Sequence, residues 1–363
     1  MPCAWWPAFS VSIPKSGPAE GRESVELKEI GEFGLIYRLT RDLPSSREVI
    51  QGVGDDAAVL AVGDKWLLFA TDVLVEKIHF RWDLASPADV GFKTLAVNVS
   101  DIAAMGGRPT YALVTLGLPL NFTVEEVEEF YAGLKEAAEE YEVILVGGDL
   151  SRSDVFFAGV ALLGEVEPGK AKFRKGARPG DILCVTGPLG GAAAGLTLLK
   201  SKKELLPETM AHFLRRKYRR PDARLEAGKI LGDFEEVHAL IDVSDGLAGD
   251  AHHLARASGV QINIYRTALP VYPPAQELGR RLGMDPAEWA LFGGEDYELL
   301  FTVEPSAVGK VAKALEEVGL SLFPLGFVEE GEGVKLVLPD GREEELRCGG
   351  YDHFRGSIYE PAP

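Results

Sequence analysis

Five short acidic segments of the chain share one grammar: an aspartate at the end of an apolar run, beside glycine or a hydroxyl residue. They are Gly54-Asp55-Asp56, Thr71-Asp72, Ser100-Asp101, Gly148-Asp149 and Asp242-Val243-Ser244-Asp245-Gly246. Glycine lets a backbone approach a ligand closely, and the carboxyl ends of strands are where α/β proteins place ligands. Any one of these aspartates reads equally well as a turn or cap residue. The five together point to a site for hard cations. Oxygen ligands of this kind suit Mg²⁺, which keeps waters and bridges carboxylates to phosphates.

Asp101 carries the most information. Its segment is otherwise largely apolar, with Val90, Phe92, Leu95, Val97, Val99 and Ile102, while Thr94, Asn98 and Asp101 recur at i, i+4 and i+7. That spacing puts one polar stripe on an otherwise buried helix. No lysine or arginine lies on the stripe to pair with Asp101, and a buried carboxylate is costly unless it is paired or binds a metal. The whole chain carries a formal charge of −18, which excludes sequence-independent nucleic-acid binding. Clustered carboxylates would repel a polyphosphate in a low-dielectric cleft. Bound Mg²⁺ would reverse the sign and stabilise a phosphoryl group in transfer.

Other candidates stand alone and keep two readings. Gly187-Pro188-Leu189-Gly190-Gly191 precedes a helix like a phosphate loop, but no Lys-Ser/Thr follows it and there is no GxxxxGK[ST] pattern. It is either a tight strand–helix turn or a ligand contact. Arg174 lies in a Pro- and Gly-rich junction and could hold a phosphate by a two-point contact; it could also be a solvated loop residue. His79 is a packed or surface histidine, or a ligand contact. Glu295, between Gly294 and Asp296, is a turn residue or a carboxylate aimed at a cation. Tyr351 is a core or cap aromatic, or a ligand contact.

The elements that must position these groups alternate between strand and helix in both halves. Expected strands are Leu67–Ala70, Tyr111–Leu118, Val143–Val146 and Val155–Val166, then Ile182–Thr186, Ala239–Ile241, Gln261–Ile264, Glu298–Val303, Leu322–Val328 and Val334–Leu338. Expected helices are Pro87–Met105, capped by Ser86 and stopped by Gly106-Gly107, and Thr123–Tyr141, followed by Ala192–Lys200, Pro221–Leu231, Leu247–Ser258 and Ser306–Val318. The pattern is α/β or α+β, with two layers per domain. A length of 363 residues fits about two domains of roughly 150 residues each. We divide the chain into 25–166, a junction over 167–180, and 181–363. Residues 1–24 read as a disordered extension, since a mildly apolar start with no basic residue before Lys15 is a poor signal peptide. Cys3, Cys184 and Cys348 are scattered and form no CxxC pair. That argues against a thiolate zinc site or a disulfide framework and fits a cytoplasmic location. No apolar run reaches the 18 or so residues of a membrane span.

Taken in order, the motifs resemble the thiamine-monophosphate kinase family. They are Gly31-Glu32-Phe33-Gly34-Leu35-Ile36, Gly52 through Ala58, Thr71 through Val75, His79-Phe80, Lys93 through Gly106, Gly147-Gly148-Asp149, Asp242 through Leu247, Gly293 through Leu299, and Gly350-Tyr351-Asp352-His353-Phe354. The resemblance runs from about Ile30 to Phe354. It implies the two-domain fold shared with aminoimidazole ribonucleotide synthetase: an N-terminal α/β domain that dimerises through its sheet, and a C-terminal α/β domain behind it. It also implies ATP in a cleft near the dimer interface, with direct in-line transfer to the phosphate of thiamine monophosphate. On matching motifs, Asp56, Thr71, Asp72, Asp101, Asp149, Asp242 and Asp245 would hold Mg²⁺, with Asp72, Asp101 and Asp149 catalytic. Gly148, Asp149, Arg174, Ser244 and Tyr131 would contact ATP. His79, Glu295 and Tyr351 would meet thiamine monophosphate. Where the family often has a hydroxyl residue before the Thr-Asp pair, this chain has Ala70, which leaves only a backbone carbonyl there. The alternatives are another ATP-dependent enzyme of the superfamily, or a non-catalytic ATP-binding protein. Selenophosphate synthetase relies on a reactive cysteine in a Gly-rich N-terminal segment, and Cys3 has no such setting. An idle binder would lack metal carboxylates, and none is missing here.

Overall fold

A computed structural model describes residues 25–349, 351–354 and 356–357. The segment 1–24 lies outside the described residues. The N-terminal half runs α1 (Leu27–Thr40), β1 (Val49–Gln51), β2 (Ala58–Val62), β3 (Lys65–Val75), α2 (Pro87–Ala104), β4 (Arg108–Leu118), α3 (Val124–Glu140), β5 (Ile144–Arg152) and β6 (Phe157–Val166). Its six strands form one sheet in the order β1-β2-β3-β6-β4-β5. All pairs are antiparallel except β4 with β5.

After the junction the chain continues as β7 (Ile182–Val185), α4 (Gly191–Ser201), α5 (Glu208–Arg219), α6 (Leu225–Asp233), β8 (Val237–Asp242), α7 (Leu247–Ser258) and β9 (Gln261–Tyr265). Then come α8 (Pro273–Leu282), α9 (Pro286–Phe292), β10 (Leu299–Val303), α10 (Val308–Glu316), β11 (Phe323–Glu329), β12 (Gly333–Val337) and β13 (Glu343–Glu345). The second sheet has seven strands in the order β13-β12-β9-β11-β7-β10-β8. A short hairpin, β14 (Tyr351–Asp352) with β15 (Gly356–Ser357), follows near the chain end.

Helix α2 is the hinge of the design. Ser86 caps it by accepting from the Asp89 amide, and Asp89 returns the bond to the Ser86 amide, so two otherwise unpaired N–H groups are satisfied. From Val90 to Ala104 every residue except Asp101 is buried. A helix apolar on all sides needs neighbours on all sides, and α2 has them: β3, β6 and α3 from its own domain, α6 and β8 from the other. One buried cluster therefore runs from Leu95 and Ile102 through to Leu240, Phe301 and Val311. The two sheets are distinct, but their cores are continuous through α2.

Helices α2 and α3 touch backbone to backbone. A Cβ on Gly91 would lie 1.9 Å from the Phe130 carbonyl oxygen, and one on Gly133 would lie 1.8 Å from that of Ala88. The other face of the N-terminal sheet is open and apolar, with Phe69, Val73, Tyr111, Leu113 and Val146 exposed.

Two strands differ from the sequence expectation in a way that matters. Strand β3 does not stop at Ala70 but carries Thr71 and Asp72 in its interior, paired with Ala161 and Val160. Strand β5 runs through Gly147, Gly148 and Asp149 rather than turning there, because it adds to the edge beside β4. Helix α6 begins at Leu225, not Pro221. Helices α1, α5, α8 and α9 carried no expectation, and α5 is the most polar of them.

We expect Gly133→Ala to push α2 and α3 apart and cost about 1–3 kcal/mol, as overpacking does. The readout is a lower urea midpoint at unchanged slope.

Candidate active site

The site begins where β2 ends. Strand β2 pairs with β3 only from Ala58 opposite Phe69 onward, so beyond Phe69 the strand β3 has an open side. The Asn98 side chain fills part of it, accepting the Asp72 amide at 2.8 Å. The Gly52–Ala57 loop precedes β2 and carries Asp56 into the same region. Asp242 arrives from the end of β8, and Asp101 from near the C-terminal end of α2.

Asp56, Asp101 and Asp242 present carboxylate oxygens that all lie within 4.8 Å of one another. Three segments from both domains thus meet at one point. Asp242 accepts from Ser100 Oγ at 2.6 Å and from Ser244 Oγ at 3.3 Å. The Asp56 side chain is wholly buried, and its Oδ2 has no hydrogen-bond partner. Arg174 donates to Asp56 Oδ1, from Nη2 at 2.5 Å and from Nε at 3.2 Å, and its backbone amide is held by Asp55.

The electrostatics follow from crowding. Burial, and then the charge of Asp72, hold the Asp101 carboxyl well above its ordinary range. Burial, with Asp56 adding to it, raises Asp242 to about 7. Asp72 is open on its solvent side but flanked by protein elsewhere, and the loss of water with the nearby Asp56 charge lifts it to about 6. Asp55 is raised to about 7 by burial and by Asp56. An orphaned buried carboxylate oxygen amid mutually repelling acids is what a divalent cation would satisfy. The donor set, all oxygen, fits Mg²⁺.

A second group of side chains lies beside the first. His79 accepts the Val75 amide on Nδ1 at 2.9 Å, which leaves Nε2 to carry its proton. Burial, aided by the charges of His353 and Lys93, lowers the ring to about 4, so it is neutral at pH 7. Its ring lies 5.0 Å from that of His353. Lys93 Nζ donates to Glu295 Oε1 at 2.5 Å. The Glu295 backbone has φ of 60° and its amide donates to the Ser244 carbonyl at 2.7 Å.

Other expected residues sit elsewhere. Thr71 and Asp149 face the open side of the N-terminal sheet. Asp149 is opposite Thr115 on the edge strand β5. The register Asp72–Val160–Val114–Gly148 puts Gly148 three strands from Asp72, about 14 Å at the usual spacing. Gly148 has to be glycine, since a Cβ there would lie 1.8 Å from the Val114 carbonyl oxygen. Asp245 is half-buried after β8, outside the close trio, and its charge bears on Asp250. Tyr131 lies on α3, partly buried on the core beside Phe130. Tyr351 lies in β14, two residues before His353.

The Gly187–Gly191 run is a turn with an internal cap. Asp296 accepts from the Gly190 amide at 2.5 Å and the Ala192 amide at 3.2 Å. Those amides, at the start of α4, are occupied by the protein itself.

Sequence reasoning gave no role to Asp55, Ser100, Lys93 or Asp250. Asp250 is buried with an unpartnered Oδ2. Its signal was available: an acid one turn into α7 among apolar residues.

The fold and the aspartate trio define an AIR synthase related protein. Residues 54–166 match the N-terminal domain of that family and residues 178–339 its C-terminal domain. Within it, the thiamine-monophosphate kinase of Aquifex aeolicus is 42% identical, across 91% of this chain and all of that one. The thiamine-monophosphate kinase of Bacillus subtilis is 38% identical, across 89% of this chain and 99% of that one. A solved structure of AaThiL complexed with AMPPCP and TMP superposes with a TM-score of 0.80 at 41% identity, covering 91% of this chain and 99% of that chain. The chain belongs to the thiamine-monophosphate kinase family.

The raised carboxyls make the metal-free fold prefer protons. Each such acid lowers stability as pH climbs from its ordinary value toward its raised one, the window from about 4 to 7. We therefore expect Mg²⁺ to raise the melting temperature more at pH 8 than at pH 6. Asp101→Asn should raise the melting temperature in EDTA and abolish most of the Mg²⁺-dependent rise, read by differential scanning fluorimetry.

Proposed function

We propose that this protein transfers the γ-phosphoryl group of ATP to the phosphate of thiamine monophosphate, giving thiamine diphosphate. The observation that carries the reading is the close trio of Asp56, Asp101 and Asp242 with Asp72 beside it, in a chain of this family.

Asp56, Asp72, Asp101 and Asp242 would hold Mg²⁺, with Asp245 at the edge of the group. The bound cation would neutralise the carboxylates and the phosphate oxygens and stabilise the charge of the transferring group. Arg174, now on Asp56, is placed to pass to an ATP phosphate once a cation takes its acid. Ser244 fixes Asp242 through its hydroxyl and Glu295 through its carbonyl, and so links the nucleotide side to the acceptor side. The attacking atom is an oxygen of a phosphate monoester, already ionised, so no strong base is required of the chain. His79, neutral with Nε2–H free to donate, and Glu295 would orient the acceptor; Tyr351, in β14, is proposed to meet the acceptor as well. Positioning for in-line attack and charge neutralisation are the chain's contributions. Tyr131 is proposed for the adenine end.

The chain acts as a homodimer in this reading, and the open apolar face of the N-terminal sheet is the surface that fits. That face also bears Thr71 and Asp149, with Gly148 next to Asp149 on the same edge strand. Since Asp149 is about three strand spacings from Asp72 in its own chain, a metal or phosphate contact from it would serve the site of a second copy. We place the enzyme in the cytoplasm. No described helix is long and apolar enough to cross a membrane.

The direct test is a chromatographic assay of purified protein with ATP, MgCl₂ and thiamine monophosphate. Equal appearance of ADP and thiamine diphosphate, lost with EDTA, is the expected result. ADP without thiamine diphosphate would point to another acceptor, and no ADP at all would point to a binding protein. Asp72→Asn should lower kcat at least about 10³-fold with the melting temperature in EDTA no lower than that of wild type. Mixing inactive Asp149→Asn and Asp101→Asn subunits under exchange should restore about one quarter of wild-type activity if Asp149 serves the second copy. No restoration would place it in its own chain's site.

A further inference from the structure

Lys93 is the least expected member of the acceptor side. Its side chain is 3% exposed, and an ammonium at that depth requires an anion. That anion is Glu295, 202 residues away and in the other domain. The Lys93 ammonium also lies 4.7 Å from the ring centre of Tyr218, which is itself buried. The aliphatic stem is packed within α2, where its neighbours on both sides are buried. Lys93 is therefore fixed along its whole length.

Glu295 is held at both ends. Its backbone sits in the left-handed region at φ 60°, a conformation that costs a non-glycine residue on the order of 1 kcal/mol or more. It is pinned by the hydrogen bond that its backbone N–H donates to the Ser244 carbonyl. At the other end Lys93 takes Oε1. Among the described residues no donor reaches Oε2, and the side chain is 27% exposed. One oxygen is thus tied inward, and the other is left for a ligand.

We propose that Lys93 is a positioning residue for the phosphate acceptor: by holding Glu295 Oε1 it aims Oε2 at the ring portion of the substrate, a cationic thiazolium joined to an aminopyrimidine. A freely rotating glutamate would lose rotamer freedom on binding. A glutamate already tethered does not, so the ion pair lowers the ordering cost of recognition. Because Lys93 belongs to the N-terminal domain and Glu295 to the C-terminal one, the tether also fixes the acceptor side against Asp101, two turns further along α2. The inference rests on the reading that Glu295 meets thiamine monophosphate.

The test is calorimetric titration of full-length wild type and of Lys93→Gln, Lys93→Arg and Glu295→Gln with three probes: thiamine monophosphate, thiamine and Mg²⁺-AMPPCP. Steady-state kinetics and melting temperatures accompany it. For Lys93→Gln we expect thiamine monophosphate and thiamine to weaken by the same factor, at least about tenfold, with Mg²⁺-AMPPCP within about twofold. KM for the acceptor should rise by more than kcat falls. Lys93→Arg keeps a cation at the carboxylate and should recover part of the acceptor affinity; it also carries the test if Lys93→Gln does not fold.

Unchanged acceptor affinity in both Lys93 variants, with Glu295→Gln weakened, would overturn the inference and leave the Glu295 reading standing. Unchanged acceptor affinity in Glu295→Gln would overturn both. Loss confined to thiamine monophosphate, with thiamine unaffected, would mean that Lys93 grips the phosphate instead. Equal loss for all three probes would reduce Lys93 to a structural ion pair.

Discussion

Three carboxylates held within 4.8 Å of one another, with Arg174 on only one of them, are the constraint around which this protein is organised. Like charges at such separations repel by on the order of 3–4 kcal/mol per pair at an effective dielectric constant of about 20. The metal-free fold relieves this by drawing protons onto the acids and by seating Arg174 on Asp56. It tolerates the rest because the elements bearing the acids are buried in two large cores. Stability is thus given up at the carboxylate cluster, a common trade at functional sites.

Helix α2 is how the constraint is enforced. Its apolar sides are gripped by both domains, so it cannot rotate to release Asp101 into solvent. The same grip presents polar groups on different sides of the helix: Lys93 toward Glu295, Asn98 to the Asp72 amide, Ser100 to Asp242. Each reaches a different strand or loop. One rigid helix therefore sets the distance between Glu295 and the aspartate trio. Under the proposed reaction, positioning of this kind counts for more than any acid or base.

Much of the fold was legible from the chain. The Ser86 cap, the continuous burial pattern of α2, the acidic helix α3 and helix α7, which the expectation matched at both ends, follow from local rules of period and capping. So does the identity of the acids. Less legible were strand ends. Thr71-Asp72 and Gly148-Asp149 look like strand exits because aspartate and glycine are poor strand formers, yet pairing with β6 and β4 carries them inside. The Gly187–Gly191 loop kept two readings because nothing near it in sequence reveals that Asp296, more than 100 residues away, occupies its amides.

The sequence by itself determined the inventory: which oxygens are available for a cation, which helix must be buried, and where only glycine fits. Tertiary structure decided the pairings. It chose Asp56, Asp101 and Asp242 to meet, left Asp149 on an open edge, and joined Lys93 to Glu295 across the domain boundary. The physical reason is range. Period, capping and backbone sterics act over a few residues and are written locally. A charge finds its partner only after sheets and helices have packed, and that choice is made by distance and burial in space.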